Sequence, residues 1–333
     1  MSGRVHGGPD QRGVPLHDFS TNSNACGPCP VALAAVARAE ATQYPDASYI
    51  ALREQLATFH GLPVQRIVLA ASASEFIFRV TAVVARQGGL GVWLPPHSYG
   101  DYAQAARAHG LQPTADPEGA ALRWACDPSS PLGTAHAGLQ ALTASSAAVT
   151  VLDRAYEPLR LSGALGLDDA QLQTVWQLYT PNKALGLTGV RAAYAVAPMG
   201  SDELIDALEA LCPSWPIGAH GVAMLRAWTS LEAQAWLARS LATLRDWKAR
   251  QVALCESWGW RYLPSHANFF CARPALPATL TLEQALHDLR AQGIKLRDAA
   301  SFGLPGHVRI SVQPPAAQAS LSQAWLQLSR KTA

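Results

Sequence analysis

Lys183 lies in the run Leu-Tyr-Thr-Pro-Asn-Lys-Ala-Leu-Gly-Leu-Thr-Gly-Val-Arg, residues 178–191, thirty residues after Asp153 in Val-Leu-Asp-Arg-Ala-Tyr, residues 151–156. A lysine amine condenses with an aldehyde, a carboxylate holds a proton on a pyridine nitrogen, a phenol reaches a ring oxygen, and a guanidinium clasps a phosphate. Together these are the needs of pyridoxal 5′-phosphate, so Lys183, Asp153, Tyr156 and Arg191 are candidates for one site and the chain is expected to be an enzyme. Taken singly, each has a plainer fate: a solvated lysine, a helix cap, a packed tyrosine, a surface ion pair.

For these groups to meet, one edge of a sheet must carry them. Strand candidates at 66–71, 91–94, 123–126, 148–152, 174–179 and 192–196 alternate with helical patterns at 72–84 and 99–109. That alternation predicts an α/β fold with a mostly parallel sheet covered by helices on both faces. Such sheets bind ligands beyond the carboxyl ends of their strands, and Ser72 to Ser74, Asp127 to Ser130, Asp153 and Thr180 to Lys183 all follow strand candidates. The small-residue turn Ser72, Ala73, Ser74 opens a helix, where free backbone N–H groups and the helix dipole favour a phosphate. Helical patterns at 31–41 and 49–60 precede the first strand, and helices dominate from 202 to about 255. A smaller α+β region follows, with strands at 268–273 and 308–312, a helix at 281–292 and a last helix from 317. The expected organisation is an N-terminal arm at 1–40 contributing to the small domain, a large α/β domain at 41–215 and a small α+β domain at 216–333.

A chain of 333 residues, 49% apolar, has enough material for a sizeable core. Its 26 Lys and Arg against 24 Asp and Glu are scattered, with no basic stripe, so nucleic acid is not an expected partner. The longest uncharged stretch, 128–152, is interrupted by Gly133, His136, Gln140 and several hydroxyl residues, which argues against a membrane span. Residues 1–10 lack the apolar run of a secretory signal, making a cytoplasmic location the expectation. The six cysteines then read as thiols. Cys26 and Cys29 have no second Cys or His pair at ligand spacing and read as small residues of a Gly/Pro-rich turn, with no metal expected.

The order of motifs resembles the fold-type I pyridoxal-phosphate enzymes, in particular the branch of histidinol-phosphate aminotransferase and threonine-phosphate decarboxylase. The matching segments span nearly the whole chain: His6-Gly-Gly, Asp18-Phe-Ser-Thr-Asn-Ser-Asn, Tyr44-Pro-Asp, Ser72-Ala-Ser-Glu, Pro96-His-Ser-Tyr-Gly-Asp-Tyr, Asp127-Pro-Ser-Ser-Pro-Leu-Gly, the two segments already quoted, Ser265-His-Ala-Asn-Phe and Val308-Arg-Ile-Ser-Val. The resemblance implies that Lys183 is the Schiff-base lysine and a proton carrier, that Asp153 pairs with the pyridine nitrogen, and that Tyr156 bonds the ring phenolate. It implies a phosphate cradle of Ser72, Ala73, Ser74, Thr180 and Arg191, and an aromatic cover, Tyr99. Tyr44 is expected to reach the phosphate of a neighbouring subunit, so a homodimer with shared sites is expected. Arg309 matches the group that takes a substrate carboxylate, with Asn22 and Asn268 as polar neighbours. His6, Arg297 and His97 are candidates for a substrate phosphate.

The chain departs from the family pattern at Ser130, where an asparagine usually reaches the phenolic oxygen, and at Asn182, which replaces a hydroxyl residue before the lysine. The resemblance implies decarboxylation of L-threonine-O-3-phosphate, as in cobalamin assembly, as the leading reading. Amino transfer on histidinol phosphate or a related amino acid is the alternative, and a catalytically silent member is a third.

Overall fold

The computed structural model describes residues 6–143 and 148–331. The reading of residues 1–5 as arm without a signal, and residues 144–147 of the uncharged stretch, lie outside the described residues. In chain order the first half comprises β1 (His17–Asp18), α1 (Pro30–Ala37), α2 (Ile50–His60), β2 (Ile67–Ala70), α3 (Ala73–Arg86), β3 (Gly91–Trp93), α4 (Gly100–Ala108), β4 (Gln112–Thr114), β5 (Leu122–Cys126) and β6 (Val149–Asp153). There follow α5 (Asp169–Leu172), β7 (Trp176–Tyr179), β8 (Ala193–Val196), α6 (Asp202–Ala210), α7 (Ala219–Trp228) and α8 (Leu231–Ser257). The chain closes with β9 (Arg261–Leu263), β10 (Phe269–Arg273), α9 (Leu282–Ala291), β11 (Ile294–Lys295), β12 (Arg297–Asp298), β13 (Val308–Ser311) and α10 (Pro315–Lys331).

A seven-stranded sheet has the order β2-β8-β7-β6-β5-β3-β4. It is parallel from β7 to β4, while β8 runs antiparallel to both its neighbours. β2, β5, β7 and β8 are buried at every position, as strands covered on both faces must be, and this is why they read as continuous apolar runs. One face packs on α1, α2, α7 and the first half of α8 through Leu56, Ile67, Tyr194, Met224 and Leu244. The other packs on α3, α4 and α6 through Phe76, Val80, Trp124 and Trp176.

The four-stranded antiparallel sheet β12-β13-β10-β9 has its own core with α9 and α10, centred on Phe19, Trp260, Phe270 and Trp325. The 27-residue α8 joins the two regions, contributing Leu244 to the first core and Cys255 to the C-terminal one. Cys26 and Cys29 pack in or against the first core as free thiols.

The N-terminal segment is threaded between these parts. β1 pairs in parallel with β11, the Phe19 carbonyl accepts from Ser311 N at 2.8 Å, and Asn24 N donates to the Lys183 carbonyl at 2.9 Å. Residues 19–24 are therefore stretched from the C-terminal sheet to the lysine loop. Strands β4, β9, β11 and β12, of two or three residues each, were not anticipated, because so short a run carries no period. α1 ends at Ala37 rather than near 41, where the Glu40 carboxylate accepts from Thr42 N at 2.8 Å and Thr42 Oγ1 at 2.6 Å and turns the chain.

Candidate active site

A cavity of about 620 Å³ opens beyond the carboxyl ends of β5, β6 and β7, where Cys126, Asp153 and Thr180 line it. Asp153 is the last residue of β6 and is 5% exposed. Its Oδ1 accepts from Ala155 N at 2.9 Å and its Oδ2 from the Tyr102 hydroxyl at 2.7 Å. Burial raises the Asp153 pKa, opposed by the Tyr102 hydrogen bond and by Lys183. Tyr102 is itself fixed on α4, its ring stacked on Trp124 at 4.4 Å and 8°. Nothing in the sequence pattern singles out Tyr102. Its only signal was a second tyrosine three residues after Tyr99.

Lys183 follows β7, with its Nζ 5.5 Å from the centre of the Tyr156 ring and no side-chain hydrogen bond among the described residues. Burial lowers its pKa against the pull of Asp153, which favours the neutral, nucleophilic amine. Tyr156 packs edge-on against Phe269 at 4.8 Å, and burial raises its phenol pKa while the Arg309 charge opposes the rise.

One end of the cavity gathers groups that suit an anion. Ala73 and Ser74 line it at the start of α3, whose first N–H groups have no intrahelical acceptor. Ser72 is instead the N-cap, its Oγ accepting from Glu75 N at 3.1 Å, and is not among the lining residues. Tyr99 lines the same end, its hydroxyl 3.3 Å from Ser74 Oγ. Thr180 donates through Oγ1 to Asn182 Oδ1 at 2.8 Å, and Asn182 Nδ2 donates to the Val190 carbonyl at 3.2 Å. Asn182 thereby ties the Lys183 turn to the loop that delivers Arg191, which also lines the cavity.

The opposite end carries two guanidinium groups. Arg309, on β13, donates from Nη1 to Ser130 Oγ and from Nη2 to the Ser20 carbonyl, both at 3.0 Å. Arg297, on β12, donates to Ser301 Oγ at 2.7 Å, and burial together with Arg309 lowers its pKa to about 10. Their guanidinium carbons stand 5.3 and 4.8 Å from the Phe302 ring centre. His6 and Asn22 line this end, and the buried Asn22 amide faces the Tyr156 phenol, whose pKa it helps to hold down. Asn268 is held behind the wall, donating to the Ser23 carbonyl at 2.9 Å. His97 lies outside the lining, its ring 2.7 Å from the Phe302 carbonyl. Tyr44 is away from the cavity, 77% exposed and stacked on Trp215 at 4.5 Å.

The donor set fits pyridoxal 5′-phosphate on its own chemistry: a buried amine without a hydrogen bond among the described residues, a carboxylate with acceptor capacity to spare, and a helix N-terminus beside an arginine. A largely parallel sheet carrying this set at its carboxyl edge, with a separate antiparallel sheet closing the site, defines a fold-type I pyridoxal-phosphate enzyme. The family described as aminotransferase class I and II matches residues 15–118 and 114–324, and the chain belongs to that pyridoxal-phosphate-dependent family.

The chain is similar to the histidinol-phosphate aminotransferase of Symbiobacterium thermophilum, with 30% identity over 92% of this chain and 89% of the relative. Among solved structures, the histidinol-phosphate aminotransferase of Sinorhizobium meliloti in complex with pyridoxal-5′-phosphate matches with a TM-score of 0.80 at 22% identity, covering 96% of this chain and 92% of that one. The L-threonine-O-3-phosphate decarboxylase of Porphyromonas gingivalis matches with a TM-score of 0.79 at 20% identity, covering 94% of this chain and 99% of that one. These structural likenesses speak to the fold. No helix among the described residues is long and apolar enough to cross a membrane.

Proposed function

We propose that the protein is an aminotransferase acting on a phosphorylated amino compound of the histidinol-phosphate kind. The observation that carries this reading is a cavity with anion-binding groups at both ends and the amine of Lys183 between them: Ser74 and Arg191 at one, Arg297 and Arg309 at the other. The cofactor's own phosphate takes the first end, so the second is left for an anionic group of the substrate. The Symbiobacterium relative, named for histidinol phosphate, supports the same direction.

When bound, pyridoxal 5′-phosphate supplies a ring that withdraws the electron pair left on the substrate Cα. The protein's residues do the rest. Asp153, held by Tyr102 and Ala155 N, keeps a negative charge facing the ring nitrogen. Tyr156 offers its hydroxyl to the ring oxygen. Lys183, its pKa lowered by burial, is poised to take a proton from Cα and return it. Arg309 orients the substrate, and that orientation selects which Cα bond stands perpendicular to the ring and breaks.

Decarboxylation of threonine phosphate becomes the second reading, reversing the ranking that the motifs alone imply. It retains the fold likeness to the Porphyromonas enzyme and the His6-Gly-Gly segment. The assay supplies the purified, cofactor-loaded protein first with histidinol phosphate and 2-oxoglutarate, then with phosphothreonine. Glutamate formation without CO₂ supports amino transfer. CO₂ from phosphothreonine, with no glutamate in the first assay, reverses the ranking, and no turnover of either leaves the silent reading. The proposal includes a homodimer, supported by the solvent-facing Tyr44–Trp215 pair. Sedimentation at micromolar concentration giving only monomer would remove that part.

A further inference from the structure

Residues 6–13 make contacts that the cofactor chemistry does not explain. His6 and Gly7 line the cavity at its Arg297–Arg309 end. A Cβ on Gly7 would stand 2.2 Å from the Ser20 carbonyl oxygen, the same oxygen that accepts from Arg309 Nη2 at 3.0 Å. Gly8 has φ +91°, and its N–H donates to Ser20 Oγ at 2.9 Å. The two glycines thus serve different needs, close approach at one and a left-handed backbone at the other. Ser20 Oγ in turn donates to Asp18 Oδ1 at 2.5 Å, so this short stack runs from the segment to β1.

What holds the segment down is a charge cluster outside the cavity. Asp10 receives both Arg290 nitrogens, Nη2 at 2.8 Å and Nε at 3.0 Å, and its Oδ2 lies 3.1 Å from Lys295 Nζ. Lys295 also donates to the Gly8 carbonyl at 2.6 Å, and Arg290 to the Gly13 carbonyl at 2.8 Å. Arg290 and Lys295 are the partly buried members, at 12% and 15% side-chain exposure, while Asp10 is at 30%. The Arg290 hydrogen bonds, with Lys295 behind them, hold the Asp10 carboxyl well below its usual range.

We propose that Asp10 is a specificity-determining latch: by binding Arg290 and Lys295 it fixes residues 6–8 as the wall of the substrate's anionic end. The wall touches the carbonyl that anchors Arg309, so a substrate bearing a phosphate at that end gains from a docked segment, whereas the cofactor's end gains nothing. This rests on the two-ended reading of the cavity given above, but its first test does not need turnover.

In the cofactor-loaded protein, trypsin cleavage after Arg12, whose guanidinium is held against His287 in the docked segment, reports release of the segment, with inorganic phosphate as the probe of the anionic end. Phosphate is expected to slow cleavage of the wild type severalfold. Asp10→Asn, which sets an amide donor against Arg290, is expected to be cleaved faster and to lose most of that protection. With a turned-over phosphorylated substrate, the same variant is expected to raise KM about fivefold at unchanged kcat and unchanged cofactor affinity. Arg290→Gln is expected to reproduce both effects from the other side of the pair. Equal cleavage rates and equal KM in wild type and both variants overturn the latch, as does a lowered melting temperature that comes without either change. Absence of turnover on every phosphorylated amino compound would count against the proposed function and leaves the cleavage comparison to decide the latch.

Discussion

Replacing Tyr102 with Phe removes one oxygen from the floor of the site while keeping the ring. The phenyl group retains its stack on Trp124, at 4.4 Å and 8° in the native protein, so the packing loss is small. What disappears is the 2.7 Å hydrogen bond to Asp153 Oδ2, leaving that carboxylate with Ala155 N alone. A hydrogen bond to a charged acceptor in a buried setting is worth about 1.5–3 kcal/mol. The loss falls on the ionised form of Asp153, whose pKa burial has already raised, so the variant raises it further. A carboxyl with a raised folded-state pKa binds its proton more tightly folded than unfolded, so its penalty is absent at low pH and develops as pH rises past the ordinary carboxylate range. Urea unfolding of cofactor-free protein is therefore expected to show Tyr102→Phe close to wild type near the acid end. At neutral pH it is expected to be weaker by up to about 1.5–3 kcal/mol. On the proposed role of Asp153 as partner of the ring nitrogen, its weakened charge is expected to lower cofactor affinity about tenfold, measured by fluorescence titration. A stability difference of the same size at both pH values, or an unchanged cofactor affinity, refutes the claim that Tyr102 acts through the charge of Asp153.

Other substitutions separate the roles of the remaining groups. Borohydride is expected to leave a pyridoxyl adduct on Lys183 of the wild type, seen by peptide mass spectrometry, and Lys183→Ala is expected to abolish it and to lower turnover by about 10²–10⁴ or more. Ser130→Ala removes the partner of Arg309 Nη1 and should raise the substrate KM about fivefold, about 1 kcal/mol, while the absorbance spectrum of the loaded protein stays unchanged. A spectral change would instead place Ser130 on the ring oxygen. Arg160→Met removes the 2.7 Å ion pair of the fully buried Asp127 and leaves its carboxylate with Gly166 N alone, and is expected to cost about 3–5 kcal/mol in unfolding experiments.

How much of this was legible in the chain depends on what kind of contact each residue makes. Lys183, Asp153, Thr180 and Arg191 could be placed because their chemistry is in the residue type and their positions follow apolar runs that must be buried strands. The reversed direction of β8 could not be read, since an apolar run of four residues looks the same whichever way it lies. Tyr102 was hidden for another reason: its partner is 51 positions away, and its orientation is set by Trp124, a core residue with no polar contact at the site. Ser72 and Ser74 show the finer limit. Both sit in one small-residue turn, but the exact start of α3 decides that the first caps the helix and the second faces the cavity.

Ser130 and Arg309 carry the same lesson into function. Read in sequence, Ser130 is a shortened substitute for an asparagine aimed at the cofactor; in the structure its oxygen is taken up by Arg309 Nη1. Arg309 belongs to the C-terminal sheet, Ser130 follows β5 of the large sheet, and the Ser20 carbonyl on Nη2 belongs to the N-terminal segment. One guanidinium therefore reports the relative placement of all three parts of the chain, so its geometry exists only when they are assembled. On the proposed function, a guanidinium used in this way orients the substrate by where the parts meet, so the choice between proton loss and CO₂ loss is expected to depend on this junction as well as on Lys183 and Asp153.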